Sequence, residues 1–174
     1  RRTYDAADYP LDRLLAAKRE TISVILPAKE CADTLPPLLD HLAQLCAAGL
    51  VDEVLVVDAA SQDGTAEGAA RHGARVAQED ALLPEYGPAL GKGDAMWRGL
   101  SATSGEIVAF LDADSTGVGL EFVAGVLGPI VCHPELAFVK GAFARPFLPD
   151  GGGPPVPDGG GRVTELAARP LINL

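Results

Sequence analysis

Residues 107–114 read IVAFLDAD, a short apolar run that ends abruptly in two aspartates separated by one alanine. A continuous run of this kind predicts a strand that is buried on both faces of a parallel sheet. The same pattern, an apolar run followed by polar residues, occurs in ISVILPAKE at 22–30 and in VLVVDAASQDGT at 54–65. These strand ends predict an α/β protein.

Segments with helical character alternate with the strands. The first strand is expected to stop at Pro27, because proline cannot donate a hydrogen bond to a sheet ladder. Such alternation implies a mostly parallel sheet flanked by helices, whose strand C-termini meet at one ligand-binding edge. The remaining predicted elements are helices at 11–20, 35–48, 65–71 and 94–102, short strands at 74–77 and 137–139, and an interrupted helix at 122–131.

The composition limits the class of protein. The 174 residues, 48% hydrophobic and 22% charged, are typical of one globular domain or a large part of one. A net charge of −10 gives no general attraction to nucleic acid or to anionic lipid. Three widely spaced cysteines predict reduced thiols in a cytoplasmic protein, and no apolar stretch is long enough to predict a membrane span.

The composition changes near the C-terminal end of the sequence. Residues 148–161 contain six glycines and four prolines, which predict a flexible loop. We therefore expect a main domain at 1–147, this loop, and the start of a further part at 162–174, which opens with a helix.

Asp112 and Asp114 are the strongest candidates for a metal site. Two carboxylates at this spacing, just past a strand, can bind a divalent cation and a sugar hydroxyl. Mg²⁺ and Mn²⁺ prefer such oxygen ligands, usually together with substrate phosphates. The alternative is a solvated acidic turn, but the predicted place at the ligand-binding edge favours the metal site.

Other polar residues accompany the acidic pair. Lys92 lies between two glycines before a predicted helix and can pair with a phosphate, the alternative being a solvated loop lysine. Asp58 ends the second strand and is a candidate nucleotide contact. The following Ser61, Asp63 and Thr65 suit a turn and a helix cap.

A second anion site is predicted in GGGRVTE at 159–165. The backbone N–H groups at the start of a helix, the Arg162 guanidinium and the Thr164 hydroxyl can together bind an anion. The alternative is a linker that ends in an ordinary helix cap.

Five segments resemble a known family in order and spacing. The family is that of the actinobacterial glucosyl-3-phosphoglycerate synthases, retaining glycosyltransferases of the Rossmann-like GT-A fold that are related to mannosyl-3-phosphoglycerate synthases. The resemblance implies transfer of glucose from UDP-glucose or a similar donor to the 2-hydroxyl of 3-phosphoglycerate, an early step of methylglucose lipopolysaccharide synthesis. The segments are SVILPAKE at 23–30, VVDAASQDGT at 56–65, GKGDAMWRGLSATSGEIVAFLDAD at 91–114, FVKGAFARPF at 138–147 and GGGRVTELAARPL at 159–171.

The resemblance also implies roles for individual residues. Asp114 would bind Mg²⁺ or Mn²⁺ and, with Lys92, would act in catalysis. The domain at 1–147 would bind the nucleotide sugar. Together with Asp58, the nucleotide-sugar contacts would be Pro27, Ala28, Lys29, Glu30, Cys31, Ala59, Lys92, Asp112 and Ala113. The phosphate and carboxylate of the acceptor would lie against Gly161, Arg162, Val163 and Thr164.

The sequence departs from the family pattern in ways that keep alternatives open. Cys31 replaces an acidic residue that resembles a base contact and Ala59 replaces a serine, so GDP- or ADP-sugars and mannose remain open. Family members continue past residue 174 with a part that is expected to carry a histidine metal ligand, further acceptor contacts and a region for homodimerisation. A non-catalytic nucleotide-sugar-binding module is therefore a second hypothesis. A nucleotidyltransferase is disfavoured because residues 27–30 contain no glycine.

Overall fold

The computed structural model describes residues 2–117 and 119–141. The elements below belong to one compact unit that ends at Val139. The predicted boundary at 147, the loop at 148–161, the helix that starts at 162 and the four acceptor residues lie outside the described residues.

A parallel sheet of four strands forms the centre of this unit, in the order β3-β2-β1-β4. The strands are β1 (Ile22–Ala28), β2 (Glu53–Asp58), β3 (Arg75–Gln78) and β4 (Ile107–Phe110). β1 pairs with β2 on one side and with β4 on the other, and all pairs are parallel. The predicted α/β class is confirmed, and all four C-terminal strand ends lie at one edge.

β1 continues through Pro27, although the sequence predicted that it would stop there. Ile25 accepts a hydrogen bond from the Leu111 N–H on the β4 side, and Ala28 accepts one from the Ala59 N–H on the β2 side. Because backbone groups alternate sides along a strand, Pro27 faces the β4 side. The β1–β4 pairing ends at Ile25, so no ladder requires the N–H that proline lacks.

Helices cover both faces of the sheet. They are α1 (Leu11–Ala17), α2 (Leu35–Ala47), α3 (Thr65–Arg71), α4 (Lys92–Ser101) and α5 (Leu120–Cys132). Short 3₁₀ turns occur at Ala6–Asp8, Glu79–Ala81 and Pro84–Tyr86. The helices predicted within the described residues are all present, with ends shifted by up to three residues and with α3 as predicted.

Alternation along β1 gives the sheet two apolar faces. Ile22, Val24 and Leu26 belong to the larger cluster, which also contains the buried leucines of α2. Ile25 points to the opposite face and belongs to a smaller cluster with residues of β2 and α4. A Cβ at Gly99 on α4 would lie 2.9 Å from Cγ2 of Ile25, so this glycine lets α4 approach the sheet closely.

The predicted interruption of α5 is not observed. The helix runs unbroken through Pro129, which cannot donate a hydrogen bond to the carbonyl of Gly125 but stands in the last turn, with only three helical residues after it. Gly125 and Gly128 permit close packing: a Cβ at Gly125 would lie 2.6 Å from Cβ of Ala6. Within the described ranges, no helix combines the length and the apolar character that a bilayer crossing requires.

Residues 137–139 do not form the predicted fifth strand. Among the described residues no strand pairs with them, and the side chain of Phe138 is 79% exposed. A short apolar segment gains no stable extended conformation without a neighbouring strand that binds its backbone groups.

Candidate functional site

The order of the strands predicts a ligand-binding crevice at the C-terminal end of β1. The chain moves from β1 through β2 to β3 on one side, and β4 lies on the other side of β1. In open α/β sheets, ligands bind where the strand order reverses in this way. The crevice is bordered by the loop after β1, residues 29–34, and the loop after β4, residues 111–117.

Side chains of the loop after β2 bind the backbone of the loop after β1. In the opposite direction, the Glu30 carboxylate of the loop after β1 accepts a hydrogen bond from the Gln62 N–H of the loop after β2 at 2.8 Å. The polar side chains expected to make a turn and a cap therefore join the two loops into one wall, whereas the N-cap position of α3 is Gly64, without a side-chain cap. The bonds run from the Glu30 N–H to Ser61 Oγ (2.9 Å), from the Cys31 N–H to Thr65 Oγ1 (2.8 Å) and from the Ala32 N–H to Asp63 Oδ2 (2.9 Å).

The hydrogen bonds of this wall shift the pKa of Asp63. Its carboxylate accepts hydrogen bonds from the Thr65 hydroxyl and from the Thr65 and Ala32 N–H groups. The Thr65 hydroxyl, followed by the Ala32 N–H, lowers the pKa of Asp63 below its usual value. The ionised form of Asp63 is therefore the one that stabilises the wall.

Two residues of the wall adopt left-handed backbone conformations without being glycines. Glu30 has φ of 50° and Ala60 has φ of 53°. Side chains disfavour this region, and such conformations concentrate at functional sites, where surrounding contacts enforce them. At Glu30 those contacts are the bonds to Ser61 and Gln62.

Asp58 is buried rather than presented to the crevice. It is 1% exposed, and its Oδ2 accepts hydrogen bonds from the Ser61 N–H at 3.1 Å and from Gln78 Nε2 at 2.9 Å. Its Oδ1 has no hydrogen-bond partner within the described part of the chain. This geometry favours a role in building the loop, with the half-buried Ala59 closer to the surface, and the nucleotide contact of Asp58 stays a prediction.

Thr34 ties the loop after β4 to the loop after β1. Although it stands at the N-cap position of α2, its hydroxyl donates to the Ala113 carbonyl at 3.1 Å instead of capping the helix. The side chain of Ala113 is buried, so any contact that Ala113 makes with a ligand would come from its backbone.

Lys92 and Asp112 meet at the edge of the crevice. The Lys92 ammonium donates to Asp112 Oδ1 at 2.6 Å, and both side chains are 52% exposed. Lys92 is the first residue of α4, and Asp112 follows β4 by two residues. The exposed Asp114 lies two residues further on. The structure thus brings Lys92 into contact with Asp112 of the acidic pair, although the two were identified separately in the sequence.

The chemistry of this acidic pair suits a divalent cation in part. Asp112 and Asp114 offer exposed carboxylate oxygens, which Mg²⁺ and Mn²⁺ prefer. Within residues 2–117 and 119–141, no three or more His, Cys, Asp or Glu side chains are grouped as a metal site would require. A cation would therefore need further oxygens, such as those of a bound diphosphate.

The other sequence candidates lie along the end of β1. Pro27 is half-buried and Ala28 is buried, whereas Lys29 is exposed. Cys31 is buried, and its thiol donates to the Lys29 carbonyl at 3.2 Å, so its side chain serves the loop itself.

Three residues that shape the site were not singled out in the sequence. Thr34 and Gln78 act through single hydrogen bonds that no spacing rule anticipates. Arg98 is buried on α4, where charged residues are ordinarily expected on the solvent face. The GKG segment that includes Lys92 drew attention to the start of α4. Nothing in the sequence indicated that Arg98, further along the helix, is buried.

A match to a family model decides the family. The model described as "Glycosyl transferase family 2" matches residues 23–116, more than half of the chain, from β1 to just beyond Asp114. The chain belongs to glycosyl transferase family 2. The metal-binding and phosphate-binding chemistry read from the acidic pair and Lys92 is consistent with membership of this glycosyl transferase family.

Two relatives of the chain are named glucosyl-3-phosphoglycerate synthase. The protein of Mycolicibacterium paratuberculosis is 41% identical over 173 residues, which cover 98% of this chain and 52% of that protein. The protein of Petrotoga mobilis is 42% identical over 125 residues, which cover 72% of this chain and 38% of that protein. The resemblance identified from the motifs is confirmed, and the chain spans about half the length of the first relative.

Solved structures confirm the GT-A fold for this glycosyl transferase family 2 chain. Mannosyl-3-phosphoglycerate synthase from Rubrobacter xylanophilus is 46% identical with a TM-score of 0.87, covering 99% of this chain and 54% of that chain. Glucosyl-3-phosphoglycerate synthase from Mycobacterium tuberculosis, crystallised with Mn²⁺, UDP-glucose and phosphoglyceric acid, is 40% identical with a TM-score of 0.77. That match covers 99% of this chain and 55% of the other.

Proposed function

We propose that the chain is the nucleotide-sugar-binding part of a retaining hexosyltransferase. It would transfer glucose from an NDP-glucose, first of all UDP-glucose, to the 2-hydroxyl of 3-phosphoglycerate in the presence of Mg²⁺ or Mn²⁺. The observation that carries the proposal is the ion pair between Lys92 and Asp112, beside Asp114, at the crevice between β1 and β4. A lysine and an acidic metal-binding pair suit a ligand with a diphosphate.

Similarity to a protein crystallised with Mn²⁺, UDP-glucose and phosphoglyceric acid supports the same ligands here. The wall formed by the loops after β1 and β2 is proposed to contact the nucleoside through residues 27–31 and Ala59. Gly161, Arg162, Val163 and Thr164 are proposed to bind the phosphate and carboxylate of the acceptor.

In the proposed reaction the bond between the sugar C1 and the diphosphate breaks while the acceptor oxygen bonds to C1. Attack on the face from which the diphosphate leaves retains the anomeric configuration, and a diphosphate oxygen takes the hydroxyl proton. The Lys92 ammonium stabilises the charge that develops on the diphosphate. Asp114 would bind the cation, which as a Lewis acid would neutralise the same charge.

A mannosyl donor is the second candidate. The mannosyl-3-phosphoglycerate synthase of Rubrobacter xylanophilus matches this chain with 46% identity and a TM-score of 0.87. Cys31 and Ala59 stand where the family pattern has residues expected to contact the donor, so the base and the sugar are both to be tested.

We further propose that the protein functions in the cytoplasm, and that a protein of the relatives' full length is a homodimer. The additional length would supply a histidine metal ligand and further acceptor contacts. If it carried no such groups, the chain would act as a nucleotide-sugar-binding module without transfer.

A transfer assay with three donors tests the proposal. The chain, and a version extended to the relatives' full length where the gene encodes one, is incubated with 3-phosphoglycerate, Mn²⁺ and UDP-glucose, GDP-glucose or GDP-mannose. Mass spectrometry identifies the product, and the NMR coupling of the anomeric proton reports its configuration. A retained glucosyl product from UDP-glucose is expected. Transfer of mannose alone would replace the donor, and metal-dependent binding without transfer by the longer protein would favour the module.

A further inference from the structure

Arg98 is a fully buried arginine in the middle of α4. Its side chain is 1% exposed. A buried guanidinium is costly unless its N–H groups find acceptors. Each of its three nitrogens has an acceptor: Nη1 donates to the carbonyls of Leu82 (2.6 Å) and Leu83 (3.4 Å), Nη2 to the carbonyl of Gly87 (2.6 Å), and Nε to Asp94 Oδ2 (3.2 Å).

These bonds shape the segment between β3 and α4, residues 79–91. Leu83 adopts φ of 50°, a left-handed conformation that a leucine rarely takes without enforcement. The guanidinium binds the carbonyl of Leu83 and also the carbonyls of Leu82 and Gly87, which lie before and after it. Arg98 therefore holds the backbone of residues 82–87 in this conformation.

Asp94 connects the guanidinium to the backbone that carries Lys92. The same carboxylate oxygen accepts from Arg98 Nε at 3.2 Å and from the Leu90 N–H at 3.0 Å. Leu90 precedes Lys92 by two residues, and Lys92 begins α4. A shift of this hydrogen-bonded chain would move the start of the helix, and with it the Lys92 ammonium that lies 2.6 Å from Asp112.

We infer that Arg98 is a positioning residue for the Lys92 ammonium, acting through Asp94 and through the path of residues 82–87. Its guanidinium donates inward to the protein, so it does not itself reach a ligand. A lysine could not replace it, because a single ammonium lacks the planar fork that binds several acceptors at once. The inference rests on the proposed function only in assigning a phosphate to Lys92.

The first test measures the position of Lys92 without any ligand. A pulse of acetic anhydride followed by mass spectrometry gives the acetylation rate of each lysine. In Arg98→Met we expect Lys92 to react about 2- to 5-fold faster, the change that corresponds to the loss of a half-exposed ion pair. Lys18 should not change, because its 2.6 Å pair with Asp52 lies at the other edge of the sheet.

Two further variants keep this test decisive. Asp94→Asn removes the charge that links Arg98 to the Leu90 N–H with little change in volume, and should accelerate Lys92 in the same direction even if Arg98→Met does not fold. Arg75→Met is the control for loss of an arginine elsewhere, since the half-exposed Arg75 binds the Glu53 carboxylate and the carbonyl of Ala102, at the far end of α4 from Lys92. Unchanged acetylation of Lys92 in the folded Arg98 and Asp94 variants would overturn the inference.

The second test uses UDP with Mn²⁺ in a double-mutant cycle. Arg98→Met should weaken UDP binding about 3- to 10-fold, and in a Lys92→Met background it should change the affinity by less than about twofold, because coupled residues are not additive. Additive losses would contradict action through Lys92. If wild type does not bind UDP, the proposed function fails, while the acetylation result still decides the positioning role.

Discussion

Lys92 and Asp112 form a 2.6 Å ion pair between the first residue of α4 and the loop after β4. Because each side chain is 52% exposed, the pair is screened by water and contributes little to folding. Under the proposed function, the exposed ammonium would exchange Asp112 for a phosphate of the ligand. Changes at Lys92 should therefore alter ligand binding far more than stability.

Lys92→Met should separate these two effects. We expect the affinity for UDP in the presence of Mn²⁺ to fall by about 1.5–3 kcal/mol, the value of a charge-assisted hydrogen bond. The free energy of unfolding in urea should change by less than about 1 kcal/mol. Lys18→Met is the control for UDP binding, because Lys18, although more buried, forms an ion pair of the same 2.6 Å length with Asp52. Equal losses of UDP affinity in both variants would refute the assignment.

Asp114→Ala should remove the dependence of binding on the metal. The variant lacks an exposed carboxylate outside the core, so the circular dichroism spectrum and the urea midpoint should match those of wild type. Calorimetry should show that Mn²⁺ no longer strengthens UDP binding. Asp12→Ala, which removes an exposed aspartate of α1, provides the control for charge. Preserved stimulation by Mn²⁺ would show that Asp114 is not the ligand.

The wall beside the crevice should lose stability in acid through Asp63. The fold lowers the pKa of this carboxylate, so its contribution is complete above the unfolded-state pKa of about 3.9 and is lost as the pH falls through the lower folded-state value. The difference in urea midpoint between wild type and Asp63→Asn should be constant from about pH 5 to 7 and should shrink below about pH 4. A difference that persists unchanged to pH 3 would contradict this role.

Arg162→Ala tests the predicted acceptor site. Loss of a charge-assisted hydrogen bond should weaken 3-phosphoglycerate binding by about 1.5–3 kcal/mol, measured as KM in the transfer assay. The affinity for the nucleotide sugar should remain within about twofold of wild type, since acceptor and donor contact separate residues. A loss of donor affinity would instead place Arg162 at the nucleotide.

The C-terminal ends of the strands could be predicted from the sequence. Buried parallel strands consist of continuous apolar residues, and polar residues follow where each strand ends. Lys92 and the pair of Asp112 and Asp114 were singled out because they stand before a helix and after a strand at the same predicted edge, and the structure shows the contact between Lys92 and Asp112. Their roles in binding stay predictions. The passage of β1 through Pro27 was not predictable, because it depends on which neighbour that residue faces.

The burial of two charged residues, Asp58 and Arg98, could not be predicted from the sequence. Asp58 ends a strand, as a ligand-binding aspartate would, but it is 1% exposed and Gln78 reaches its Oδ2 from β3, while its nucleotide contact stays a prediction. Arg98 appears in a helix with charged neighbours, and only the path of residues 82–87 around it makes it internal. Both outcomes depend on long-range packing, which local patterns do not encode.

Calorimetric titration of the chain with UDP-glucose, first with Mg²⁺ and then with EDTA, tests the central claim most directly. GDP-glucose and GDP-mannose serve as competing donors in parallel titrations. The proposal predicts that one of the donors binds, and UDP-glucose is the one expected. This binding should disappear when the metal is removed. Absence of binding for all three donors, or binding that EDTA leaves unchanged, would contradict a metal-dependent nucleotide-sugar site at Lys92, Asp112 and Asp114.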